Sequence, residues 1–377
     1  MSGYGGAADA ATAEAGLAWD ARDLVNWQTV GAIRRERGVD ALAKGMAVPK
    51  REAEVNAQEW FEMMDKDGRV IDEAATRRRM YYGGCEAAIR GEVWRFLTGY
   101  YSFSSTYEER AAIRKEKEKE YFTLRNQWKS ITARQEERFS LFRDVRFRIE
   151  KDVLRTDRGF EYFAGTDNKN LDVLFDLLLT YAFYNMDLGY CQGMSDILSP
   201  ILYVVQDEVD AFWCFCSVMD HMETNFHMEQ VGMKNQLHNL GHILRLVDQD
   251  LYHYLDVTQS LSFFYCFRWI LINFKREFDF VHVLRLWECF WANHWSNHMH
   301  LFVAVALLVN HRRAIINNRM EFDDILKYIN DLSGTLDVDQ CLIMAEGVFY
   351  AFIEAIEAGN AAAAVRKMEE ADRQCKK

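Results

Sequence analysis

The sequence predicts an all-α protein, and three observations carry that reading. Only two of the 377 residues are proline, Pro49 and Pro200, and an interior proline costs a helix about 3 kcal/mol. Apolar residues recur at helical spacing over long stretches, with no segment showing the alternation of a half-buried strand. Half of the residues are apolar and 14% aromatic, enough to furnish a large core. The length suits two or three ordinary domains, or one domain of two lobes.

Residues 1–20 are rich in Ala and Gly and are expected to form a flexible N-terminus. Residues 21–75 read as an extension of short apolar and charged pieces. Within it, Asp65-Lys66-Asp67-Gly68 starts like an EF-hand loop but lacks the later ligands and the closing Glu, so a plain turn is expected. Glu86 to Leu97 carries Ile89, Val93, Phe96 and Leu97 at helical spacing. Tyr107 to Arg148 is heavily charged and reads as helix with a solvated face. Leu171, Leu174, Phe175, Leu178 and Ala182 follow the i, i+3, i+4, i+7 pattern, and Leu237, Leu240, Leu244, Val247 and Leu251 are spaced similarly. Further helices are expected at 208–222, 261–276, 279–293, 299–316, 321–331 and 338–358, before a fraying tail at 359–377.

The formal charge is -12 and the pI near 5.4. That balance argues against a general nucleic-acid binder, whose affinity comes from neutralising phosphates. The eight cysteines form no CxxC pair and most lie in apolar helical stretches, so reduced, buried thiols are expected. The first sixteen residues lack the basic and apolar regions of a secretory signal. With Ser2 after Met1 and the ending Cys375-Lys376-Lys377 unlike a CaaX box, neither N-myristoylation nor prenylation is expected. The longest apolar run, Leu301 to Val309, is far short of the roughly 20 residues of a membrane span. A soluble, cytoplasmic protein with no transmembrane segment is therefore expected, any membrane residence being borrowed from a partner.

Several chemistries are missing from the sequence. It contains no GxxxxGK[ST], so no P-loop of its own cradles a nucleotide, and no GxSxG or HExxH. His294, His298 and His300 cluster, and His238 and His242 lie one helical turn apart, but no carboxylate or cysteine completes either set. Packing is favoured there over zinc, and no metal site is expected. Cys191 has nothing nearby in sequence to lower its pKa and reads as a small residue lining a turn.

Two segments remain unusual. From 141 to 160, five Arg and one Lys face four acids. There Asp152 and Arg155 stand three apart, on one helix face, where a carboxylate can fix a guanidinium. Alone, that pair is most simply a surface ion pair. The second segment is Gly189-Tyr190-Cys191-Gln192-Gly193-Met194, a glutamine between two glycines on an inter-helix loop. Alone, it is a connector whose side chain caps or positions a water.

Together, in this order and spacing, the segments resemble the TBC domain family of Rab GTPase-activating proteins. Ile149-x-x-Asp152-x-x-Arg155 is similar to that family's IxxDxxR motif, Tyr190-x-Gln192-Gly193 to its YxQ motif, and Arg90-Gly91-x-x-Trp94 to its RxxxW motif. Phe267-Arg268-Trp269, Lys275-Arg276-Glu277-Phe278 and Leu284-Arg285-Leu286-Trp287 resemble later signatures, so the likeness covers about residues 80 to 350. It departs from the family pattern at Met186 (after Asn185), Ser195 and Glu288, where Pro, Asn and Asp are common.

The resemblance implies a two-lobed, V-shaped helical domain, divided here as an N-terminal lobe at 76–205 and a C-terminal lobe at 206–358. It implies Arg155 as an arginine finger oriented by Asp152, and Gln192 as a glutamine finger that orients water. Tyr190, Gly193 and Ile149 would contact the partner, while Arg90, Trp94, Arg268 and Trp269 would be structural. It further implies a Rab in its GTP form as partner, with GTP and magnesium bound on that Rab and no cofactor on this chain. The setting would be vesicle trafficking, with peripheral residence on endomembranes through the Rab. A TBC-like scaffold that binds a Rab without accelerating hydrolysis is the rival implication.

Overall fold

Helix follows helix from Ala57 to Cys375 in the computed structural model, which describes residues 21–26, 28–30 and 51–375, with side chains as far as 359. The flexible N-terminus expected at 1–20 lies outside these residues. Among them the β features are two isolated bridges, Val55–Cys85 and Met64–Val70, so the all-α expectation holds. No described helix is long and apolar enough to cross a membrane.

Two compact units divide the chain. One comprises 51–233 and 271–294; the other takes 234–270, 295 onward and the described residues before 31. This is not a sequential cut after residue 205. Residues 206–233 stay with the chain before them because helix α9 (Glu208–Phe226) is tied to α3 (Ala87–Leu97) and α4 (Tyr107–Lys129). Asp210 takes Arg95 at 2.8 Å and Arg114 at 2.7 Å, and the Trp213 indole donates to the Lys117 carbonyl.

Within the first unit, the core is built from helical stripes. In α6 (Ser140–Val153) the buried residues are Phe142, Val145, Ile149, Asp152 and Val153, spaced by three and four. In α7 (Lys169–Tyr184) they include Leu171, Leu174, Leu177, Leu178 and Tyr181. Helix α8 (Met194–Val205) is buried along almost its whole length and contains Pro200. Each fully buried Leu, Ile or Phe contributes about 1.5–3 kcal/mol relative to exposure.

The charged stretch 107–148 is not one helix. It breaks at 130–132, because Thr132 and Gln135 cap each other to start α5 (Ala133–Arg138), and Phe139 then separates α5 from α6. Nor is α4 solvated throughout: Arg110, Tyr121 and Trp128 are buried, and the Trp128 indole donates to Thr180 Oγ1 at 2.9 Å. The helix expected at 261–276 is interrupted as well. Phe263, Asn273 and Phe274 have φ of 50°, 47° and 61°, leaving α12 at Phe267–Leu271 only. The remaining described helices are α1 (Ala57–Glu62), α2 (Glu73–Gly83), α10 (Val231–Val247), α11 (Gln249–Val257), α13 (Phe280–Ala292), α14 (Met299–Asn310), α15 (Arg312–Asn317), α16 (Phe322–Asn330) and a final helix, α17 (Val338–Cys375). That last helix passes the expected end at 358 through an Ala-rich run, Ala being the best helix former.

Candidate functional site

Asp152 sits on the buried stripe of α6, which explains why a carboxylate there is only 7% exposed. The next residue, Val153, ends α6, Leu154 caps it, and Arg155 projects with 56% of its side chain in solvent. Its Nη2 donates to Asp152 Oδ1 at 2.6 Å and its Nε to the same oxygen at 3.1 Å. The other carboxylate oxygen accepts from the Tyr190 hydroxyl at 2.6 Å. Burial, reinforced by Asp152, pushes the Tyr190 phenol well above its ordinary value, so it remains a proton donor. One buried carboxylate therefore fixes both the exposed arginine and the loop that carries Gln192.

That loop depends on its glycines. Gly189 and Gly193 have φ of 63° and 103°, a region L side chains rarely adopt. A Cβ on Gly193 would also approach Ile272 Cγ2 to 3.1 Å. Gln192 lies between them, exposed, immediately before α8. Cys191 donates to the Phe226 carbonyl at 3.4 Å, and burial pushes its thiol up, away from the reactive thiolate.

Further polar links brace the same elements. The Thr156 hydroxyl, reaching both the Asp152 carbonyl (2.7 Å) and Ser195 Oγ (3.0 Å), joins the end of α6 to the first turn of α8. Ser195 thus ties the start of α8 to the segment that follows Arg155. Asp196 in that turn holds Arg276 through two hydrogen bonds, at 2.9 and 2.8 Å. Asp157 takes Lys275 Nζ at 2.6 Å. A cleft of about 560 Å³ opens beside Arg155, lined by Asp157, Phe160, Lys275, Arg276 and Phe280 among others.

The three residues expected to contact a partner are buried in this chain. Ile149 is 0% and Tyr190 2% exposed, and Gly193 is buried too. None offers a side-chain surface to a partner; Ile149 packs in the core of α6 and Tyr190 anchors the loop from within.

Arg90 and Trp94 are buried on α3, and both reach the fully buried Glu288 of α13. Arg90 Nε donates at 2.6 Å and the Trp94 indole at 3.3 Å, while Arg90 Nη2 also donates to the Cys85 carbonyl at 2.6 Å. Trp269 is buried and Arg268 partly buried; both belong to the other unit. Nothing in the sequence singles out Thr156, Asp157, Asp196 or Ser199, whose hydroxyl donates to Asp157 Oδ2 at 2.5 Å. Lys275 and Arg276 lay in a quoted signature without a role. Among the described residues no group of three or more His, Cys, Asp or Glu is placed to hold a metal.

The sequence model of the Rab-GTPase-TBC domain family matches residues 87–316. TBC1 domain family member 17 of Mus musculus is 45% identical over 300 residues, 80% of this chain and 46% of the relative. GTPase-activating protein GYP7 of Yarrowia lipolytica is 39% identical over 333 residues, 82% of this chain and 45% of the relative. The chain thus spans about half the length of the relatives it matches. The crystal structure of the Ypt/Rab-GAP domain of Gyp1p superposes with a TM-score of 0.65, covering 79% of this chain and 97% of that one. At 21% identity that likeness carries the fold alone.

Proposed function

Because the chain belongs to the Rab-GTPase-TBC domain family, we propose that it accelerates GTP hydrolysis by a Rab GTPase, supplying Arg155 and Gln192 in trans. The observation that carries this reading is the shared carboxylate of Asp152, which orients an exposed guanidinium with one oxygen and the Gln192 loop, through Tyr190, with the other. In phosphoryl transfer, charge builds on the phosphate oxygens and the β–γ bridge, and an arginine offered in trans is worth about 10³ to 10⁵ in rate. Pre-orientation by Asp152 spares the entropy of ordering Arg155 at the moment of reaction. Gln192, exposed between two left-handed glycines, is the group to orient the attacking water. GTP and magnesium belong to the Rab, in its GTP form; this chain contributes the two side chains only. The setting proposed is vesicle trafficking in the cytoplasm, with membrane residence through the Rab.

Single-turnover GTP hydrolysis by a panel of Rabs, with and without this chain, tests the reading. At least one Rab should respond, and Gln192→Ala should strongly reduce the response. If Rabs bind in the GTP form and none is stimulated, the chain is a Rab-binding scaffold instead.

A further inference from the structure

Beyond Arg155 the chain turns sharply. Asp157 adopts φ 48°, a left-handed conformation that residues with a Cβ take up reluctantly and keep only where the surroundings hold them. Both of its carboxylate oxygens are occupied. Oδ1 accepts from Lys275 Nζ at 2.6 Å and Oδ2 from the Ser199 hydroxyl at 2.5 Å. Lys275 is 5% exposed, and its ammonium lies 4.7 Å from the centre of the Phe280 ring. Phe280 in turn stacks on Phe160, centroids 3.9 Å apart at 11°. The segment after Arg155 is therefore pinned at 156 by Ser195, at 157 by Lys275 and Ser199, and at 160 by Phe280.

Packing alone does not require this arrangement. A buried ammonium carries a desolvation cost that a methionine of similar length would avoid. The pair stands 118 residues apart in sequence and closes on the one residue whose left-handed turn decides where the chain goes after Arg155. Asp152 fixes the guanidinium at its tip; what fixes the backbone that carries it, on the C-terminal side, is Asp157.

We propose that Lys275, acting with Ser199 through Asp157, is a positioning residue for Arg155, holding the backbone that presents the guanidinium in one register. The inference rests on the reading of Arg155 as the group offered to a GTPase. It assigns to Lys275 a role in setting the rate rather than in binding the partner.

The test uses the full chain with Lys275→Met, Lys275→Arg and Asp157→Asn. Asn tolerates the left-handed region as Asp does, so Asp157→Asn removes the charge and spares the turn. Two readouts are taken. Hydrogen exchange, followed by mass spectrometry on the chain alone, reports local opening of 154–160. Single-turnover hydrolysis with a responsive Rab reports kcat and KM. In Lys275→Met and Asp157→Asn, peptides covering 154–160 should exchange faster while peptides from 208–226 do not. kcat should fall about 10- to 100-fold with KM within about twofold, the cost of a small misplacement of a catalytic group. Lys275→Arg should recover most of both. Unchanged exchange at 154–160 in folded Lys275→Met overturns the proposal, as does exchange accelerated equally everywhere, which would make Lys275 a packing residue. A rise in KM at constant kcat also overturns it, by making Lys275 part of the binding surface. If the wild-type chain stimulates no Rab, the GTPase-activating reading fails by itself, and the exchange data still decide whether Lys275 anchors the segment.

Discussion

Arg90 and Arg155 each bind a buried carboxylate at 2.6 Å, yet Arg90 keeps 11% of its side chain in solvent and Arg155 keeps 56%. Around Arg90 the short contacts all run inward, and only Glu54, 3.4 Å from Nη2, lies on the exposed side. Glu288 is fully buried, the Cys85 carbonyl takes a second donor, and Trp94 shares the carboxylate. Desolvation works against the Arg90 cation, but Glu288, Cys85 and Glu54 together outweigh it, and the guanidinium is held charged more firmly than usual. Around Arg155 the carboxylate is buried and the cation is not. The same ion-pair chemistry thus serves two ends, and exposure of the cation separates them. A buried pair is part of the fold, whereas an exposed guanidinium on a buried carboxylate adds little stability and is free to act on something outside.

The largest effect expected from this contrast is catalytic. Arg155→Ala should remove stimulation by about 10³-fold or more, with the thermal midpoint nearly unchanged. Single-turnover kinetics and a melting curve on one preparation check both halves. An Arg155→Ala protein that is as unstable as a core mutant would erase the distinction. Arg90→Ala should do the reverse, costing about 3–5 kcal/mol because Glu288 is left charged without its partner. Urea unfolding measures this, and a loss under about 1 kcal/mol would place Arg90 among the surface pairs.

Acid sharpens the comparison by probing a buried group that can shed its charge. Burial first, and then Arg78, depress His294 to about 3, beside Tyr81 and Tyr82. Its folded-state value lies below its unfolded one, so below about pH 6.5 the unfolded chain takes up the proton that the folded chain refuses. Stability should then fall with pH from about 6.5 toward 3, at up to about 1.4 kcal/mol per pH unit from this residue. Urea midpoints between pH 7 and 4.5 should drop more steeply for wild type than for His294→Phe; parallel curves would remove the residue from the account. The smallest effect expected is at Tyr190→Phe. It deletes one hydrogen bond to Asp152, worth about 1–1.5 kcal/mol, and should slow stimulated hydrolysis about 5- to 10-fold by that energy. An unaltered rate would show that Asp152 positions the arginine alone.

The helical class and the Asp152–Arg155 pair were legible because both are local. Periodicity reports one helix face at a time, and residues three apart must share it. Gln192 was legible only through its company, since a loop glutamine by itself says little. What stayed hidden is long-range. The Tyr190 hydroxyl reaches Asp152 across 38 residues, Arg90 reaches Glu288 across 198, and Lys275 reaches Asp157 across 118. No spacing rule gives such partners, which tertiary packing alone selects. The same limit hid the burial of Tyr190 and Ile149, because motif membership does not reveal which way a side chain faces. It also hid the breaks at 130–132 and 273–274. There a mutual cap and two left-handed residues override favourable helix propensity.

The measurement closest to the central claim is single-turnover hydrolysis by a responsive Rab with Asp152→Asn, read beside affinity for the GTP form and thermal stability. Asn keeps the shape and removes the charge that fixes Arg155 and receives Tyr190. In Asp152→Asn kcat should fall at least about tenfold, with affinity within a few-fold and the protein folded. An Asp152→Asn protein that stimulates hydrolysis as well as wild type would contradict it.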